Sequence, residues 1–185
     1  MNRPGCIGII PMGVIPPVIP KVIAAHINGF LNLASTVLKP MRNPQYALDD
    51  QRLQFDAATI LEAMEKQSFA GVDKIVVVLN VDLFLPVFSH VFGEARQHGR
   101  VALVSICRLA EEPVENGRLS PTTLERSAKV ALHELGHLFG LIHCENHPCL
   151  MHFSGSLEEL DQTPLHLCPY CTQYFRDETR SPDQE

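Results

Sequence analysis

Apolar residues recur along this chain in two rhythms. Residues 5–11 and 73–80 are short, largely apolar runs bounded by polar residues or turns, the pattern of strands covered on both faces, and Ser35-Thr36-Val37-Leu38, rich in β-branched residues, predicts a further strand near 35–40. Between them, residues 17–33 and 55–68 carry apolar positions at helical spacing. The resulting β-α-β-α-β order predicts an α/β fold with a mixed, mainly parallel sheet and helices packed on it. Further on, residues 87–95 and 100–109 flank the polar turn Arg96-Gln97-His98-Gly99, which predicts a hairpin whose first arm runs antiparallel at a sheet edge. Ser120-Pro121 then supplies a helix start, a capping serine followed by proline in the first helical position.

A chain of 185 residues suits one compact domain that buries roughly 70% of its unfolded surface. We expect two lobes around a cleft, residues 1–140 and 141–176, with residues 177–185 a polar, disordered tail. Fifteen basic against twenty-one acidic residues give a net charge of −6 without any basic run, which argues against a nucleic-acid partner. No apolar stretch reaches the roughly 20 residues of a membrane helix. Residues 5–19 are apolar enough to raise a signal peptide, but Gly8, Pro11, Gly13, Pro16 and Pro17 interrupt them and no basic start or cleavage site accompanies them. A buried first strand and its turn, in a cytoplasmic protein, is the expectation. It leaves little room for a long inhibitory pro-segment, and Cys6 and Cys107 then read as reduced thiols in apolar strands.

One segment changes the picture. His133 and His137 stand four residues apart with Glu134 beside the first of them, so on a helix both imidazoles share one face, about 6 Å apart along the axis. Their ring nitrogens can converge on one metal, while the Glu134 carboxylate points into the same cleft as a base for the attacking water. His143 would lie roughly 9 Å beyond His137 on a continuing helix, too far to share the ion. Gly140 breaks the helix, because glycine enters the left-handed conformation freely, and the chain can turn His143 back. Three protein ligands leave one position open, as catalytic zinc requires.

Cys144, Cys149, Cys168 and Cys171 follow, at C-x4-C and C-x2-C spacing. Such paired thiolates suit a closed structural zinc that contributes directly to folding. Two disulfides fit poorly with a chain that shows no export signal. His147 or His166 in place of one thiolate stays open, and so does a redox dithiol role for Cys168 and Cys171. Neighbouring side chains in an extended segment point to opposite sides, so His143 and Cys144 would set two metals back to back across the backbone.

The whole arrangement, H-E-x-x-H-x-x-G-x-x-H-C-x4-C-x-M followed by C-x-x-C over residues 133–171, resembles the archaemetzincin family of metzincin zinc proteases. Residues 153–161 are also similar to the family's stretch after the methionine. The spacer between Met151 and Cys168 is sixteen residues where the family pattern has seventeen, a loop difference that touches only the shape of the second zinc loop. The resemblance implies a metzincin-like α/β fold with a small zinc-stabilised C-terminal lobe and two zinc ions per chain. It implies His133, His137 and His143 as ligands of the catalytic ion, Glu134 as base, the four cysteines as ligands of the structural ion, and Met151 as the turn methionine beneath the catalytic metal. Some metzincins carry a tyrosine two residues after that methionine; Phe153 has no hydroxyl to offer there.

The expected activity is zinc-dependent hydrolysis of peptide bonds in short or unfolded peptides, with aminopeptidase action suggested by the resemblance. The competing class is a catalytically weak or inactive zinc protein that uses the cleft as a peptide- or partner-binding module. The edge arm of the hairpin would take an extended peptide as an added strand. An edge covered or solvated without a ligand is equally compatible with the sequence.

Overall fold

The computed structural model describes residues 5–110, 119–146 and 148–179. Its main sheet has five strands in the order β2-β1-β5-β9-β8. β1 (Ile7–Met12), β2 (Ser35–Val37), β5 (Lys74–Leu79) and β9 (Val101–Ser105) run parallel, and β8 (Gly93–Ala95) pairs antiparallel with β9 at the edge. The apolar runs of β1, β5 and β9 are continuous because both faces are covered, whereas β2 lies at the edge and is largely exposed. On one face, Ile7, Ile9, Val76, Val78, Ala102 and Val104 pack with α1 (Val18–Leu31) and α3 (Pro121–Leu138). On the other, Ile10, Ile75, Val77 and Leu103 pack with α2 (Ala57–Glu65).

Local chemistry sets the helix ends. Asp56 caps α2 by accepting from the Ala58 N–H at 3.0 Å and the Thr59 hydroxyl at 2.8 Å. Ser120 caps α3 by accepting from the Thr123 N–H at 3.1 Å, with Pro121 next to it. Gly140, at φ +83°, follows the last turn of α3 in the left-handed region, as its position in the motif requires.

Three expectations need correction. The apolar arm over residues 87–95 is two strands. Phe92 turns into the core under α3, so β7 (Phe88–Val91) leaves to pair with β6 (Leu83–Leu85) while β8 returns to the main sheet. β6 and β7 belong to a second, four-stranded sheet with β3 (Leu48–Asp49) and β4 (Gln54–Asp56). Cys107 is exposed, beyond the end of β9, because the Ser105 hydroxyl bonds the Val81 carbonyl and receives the Cys107 N–H, turning the chain out of the sheet. Cys6 is half-buried just before β1. Finally, residues 177–179, expected in the tail, belong to a helix: after α4 (Leu157–Gln162), α5 (Pro169–Thr179) runs through Thr179, anchored by buried Phe175. Residues 180–185 lie outside the described residues.

Candidate metal centres and catalytic cleft

α3 brings His133 and His137 to one face, and the turn after Gly140 returns His143 to them. One nitrogen from each ring lies within 4.8 Å of the other two. His133 Nδ1 donates to the Leu150 carbonyl at 2.9 Å, and His137 Nδ1 donates to the Leu141 carbonyl at 2.7 Å. Each carbonyl can only accept, so both protons are held at Nδ1 and both Nε2 lone pairs are free. Those two Nε2 atoms face each other at 3.1 Å. Two ligand nitrogens on a tetrahedral zinc at about 2.0–2.1 Å would sit roughly 3.3 Å apart, so the donor set fits that ion. Burial keeps the rings uncharged: it lowers the pKa of His137 and His143, and together with the neighbouring imidazoles brings His133 down to about 3.

A stability consequence follows for metal-stripped protein. His133 titrates near about 3 in the fold and near about 6.5 when unfolded, so on acidification the unfolded chain takes up its proton first. The stabilisation is intact above about pH 6.5 and is lost as pH falls towards 3, on the order of 2 kcal/mol from this residue by about pH 5. Urea titrations of chelator-treated protein at about pH 7.5 and about pH 5 should show this loss. A flat profile would contradict a His133 ring kept neutral by its surroundings.

The four cysteines form the second group, with their sulfurs within 4.8 Å of one another. Cys144 Sγ and Cys168 Sγ are 3.8 Å apart. That is the roughly 3.8 Å expected across a tetrahedral zinc with bonds of about 2.3 Å. At Cys168 burial opposes ionisation, but the Cys171 N–H and the neighbouring thiols hydrogen-bond its sulfur and bring its pKa down to about 7. Burial pushes Cys149 and Cys171 up. All six cysteines are free of disulfides. His166 is exposed and stands outside the cysteine group, while His147 lies outside the described residues.

The Cys149-Leu150-Met151 segment joins the two groups. Cys149 is one of the four thiols, the Leu150 carbonyl holds His133, and Met151 packs beneath α3. A Cβ on Gly136 would stand 2.5 Å from Met151 Sδ, so the helix has a glycine where the methionine presses on it. The Met151 carbonyl also accepts from the Cys144 N–H at 2.8 Å, which places Cys144 and its neighbour His143 alongside this segment.

The histidines open into a cavity of about 610 Å³ bounded by α3, by β7 and β8, and by residues 152–163. Glu134 is buried in its wall, and burial, reinforced by the charge of Glu94, raises its pKa well above the usual carboxylate range. Sequence reasoning missed several residues here. Gly93 on β8 lies so close that a Cβ would stand 2.7 Å from Glu134 Cγ and 2.8 Å from its Oε1. Glu94 and Lys129 line the same cavity. Lys74 on β5 donates to the Leu138 carbonyl at 2.7 Å and the Gly99 carbonyl at 3.0 Å, and the His98 N–H donates to the His137 carbonyl at 3.1 Å. The His98 ring also fills the space that a Cβ on Gly140 would need, so the β8–β9 turn is fastened to the end of α3. Only the antiparallel edge arm hinted at any of this, since it put Gly93 and Glu94 on an open strand.

Residues 29–177 match the model for peptidase family M54. The archaemetzincin of Methanopyrus kandleri is 34% identical over 151 residues, 82% of each chain. That of Pyrococcus horikoshii is 39% identical over 128 residues, 68% of each. Among solved structures, the M. kandleri archaemetzincin superposes with a TM-score of 0.83 at 31% identity, covering 96% of this chain and 97% of that one. A zinc-dependent peptidase from Methanocorpusculum labreanum gives a TM-score of 0.80 at 27% identity, covering 91% and 99%. With its fold, its two donor sets and its relatives in agreement, the chain belongs to peptidase family M54, the archaemetzincins, and is a zinc metallopeptidase.

Proposed function

We propose that the chain is a cytoplasmic aminopeptidase acting on short or unfolded peptides, with two zinc ions per chain. His133, His137 and His143 hold the catalytic ion, and Cys144, Cys149, Cys168 and Cys171 hold the structural one. The observation that carries the reading is the pair of free Nε2 lone pairs converging at 3.1 Å beside a buried carboxylate. Zinc held by those histidines would supply Lewis-acid chemistry, polarising a scissile carbonyl and acidifying an attacking water. Glu134 takes the proton from that water and passes it to the leaving amine, and its burial favours the protonated carboxyl it becomes in between. The backbone of β8 offers the edge along which an extended peptide pairs. Met151 supports α3 beneath the histidines, and residues 1–140 and 141–176 act as the two lobes of the cleft. Among the described residues no helix is long and apolar enough to cross a membrane.

Glu94 supports the amino-terminal preference. It lines the same cavity, close enough that its charge raises the pKa of Glu134, and a substrate α-ammonium would meet that negative field. The decisive measurement is cleavage of a peptide library by zinc-replete protein, with free and acetylated N-termini. Cleavage should be chelator-sensitive and should release N-terminal residues from free peptides only. Equal cleavage of acetylated peptides at internal bonds would replace the aminopeptidase reading with an endopeptidase.

Gly93→Ala tests how Glu134 is seated. The added methyl needs the space of the Glu134 side chain and of the Leu103 carbonyl, 2.8 Å away, and a base displaced by about 1 Å loses roughly 10²-fold in rate. Zinc content should stay at the wild-type value while kcat/KM falls by about 10- to 100-fold. Wild-type kinetics in this variant would show that the close approach has no part in catalysis.

A further inference from the structure

Phe153 has no hydroxyl to offer, yet its ring is not buried in the core. It stands edge-on to His143, with ring centroids 5.2 Å apart, and faces Phe88 at 6.4 Å with a tilt of 34°. Phe88 lies on β7 of the second sheet and Phe153 follows Met151, so distant parts of the chain bring the two rings together across the mouth of the cleft. Both remain half-open to solvent, Phe88 at 44% and Phe153 at 49% exposure. Leu85, Val91 and Ile142 add apolar side chains to the same cavity. Scattered exposed apolar side chains need no explanation, but a contiguous apolar surface that reaches a metal-ligand histidine inside a cleft is a binding surface.

We propose that Phe88 and Phe153 form an apolar subsite that selects peptides with a bulky apolar or aromatic side chain next to the scissile bond. The proposal rests on the peptidase reading above and does not depend on which end of the peptide is cleaved. Rings at this spacing and tilt accept a third ring edge-on or offset, the arrangement aromatic side chains prefer. The occupant is the substrate's own side chain, because the wall is continuous with the histidine group through Phe153. A small side chain would leave both rings wet, whereas leucine or phenylalanine would cover them.

The test is kcat/KM of zinc-replete protein on matched peptides that carry alanine, leucine or phenylalanine on either side of the scissile bond. At one of the two positions phenylalanine should exceed alanine by about 10- to 100-fold. Within Phe88→Ala and within Phe153→Ala that ratio should collapse to about 3-fold or less, and in Phe88→Leu most of it should survive. Comparing substrates inside each variant removes any general loss of activity. If Phe153→Ala does not fold, Phe88→Ala, which changes a ring on the outer strand of the small sheet, decides the matter. Chelator-sensitive hydrolysis without side-chain preference in the wild type, or a full ratio in Phe88→Ala, would overturn the subsite alone. No chelator-sensitive hydrolysis of any peptide would overturn the proposed reaction and the subsite with it.

Discussion

Glu134→Gln should lower kcat by about 10²- to 10⁴-fold, the range expected when a positioned acid–base group is removed. The amide has nearly the shape of the carboxylate, so the close packing against Gly93 is retained and only the ability to carry a proton is lost. Glu134 stands outside the histidine group, so zinc content should equal that of the wild type. Removing a carboxyl whose ionisation burial opposes should leave melting unchanged or raise it, as often happens at functional positions. The readout is turnover on a chelator-sensitive peptide beside elemental analysis of the same preparation. Retention of most of the turnover would remove Glu134 from the reaction.

Cys144→Ser should damage both metal sites through one atom. Its sulfur lies 3.8 Å from Cys168 Sγ, its N–H bonds the Met151 carbonyl, and its carbonyl accepts from His152 Nδ1 at 3.0 Å. Serine keeps the backbone contacts and loses the thiolate, so the closed site gives up part of a binding free energy that is also folding free energy. A loss of several kcal/mol would lower melting by on the order of 10 °C in a chain of this size. His143 is the residue immediately before it, and loosening the support of a ligand typically costs 10- to 100-fold in metal affinity. Competition with a chromophoric chelator reads the histidine site and calorimetry reads the fold. If affinity, melting and hydrolysis all stayed at wild-type values, the cysteine group would neither bind structural zinc nor position His143.

What could be read in the sequence was local. His133 and His137 share a helix face by spacing alone, Gly140 marks the break by its backbone freedom, and the paired cysteines lie close along the chain. The parallel strands were legible because sheets covered on both faces write continuous apolar runs. The second sheet was not, since strands of two to four residues are too short to show alternation and are held only by partners from elsewhere. The long arm over residues 87–95 read as one strand because the step into the core at Phe92 leaves the apolar pattern intact. Contacts such as Gly93 with Glu134, Lys74 with Leu138, and Phe88 with Phe153 join segments more than forty residues apart, and no spacing rule announces them.

The fastening of the β8–β9 turn to the end of α3, through His98, Gly140 and the two carbonyls held by Lys74, ties β8 to the turn carrying His143. Linkage is reciprocal: whatever steadies one end of such a tie steadies the other by the same free energy. A peptide lying along β8, as proposed above, would then tighten zinc binding at the histidines, and loss of that zinc would weaken the hold on the peptide. On the reading proposed above, metal retention and substrate retention would be coupled, so a scarcity of either one would weaken the hold on both.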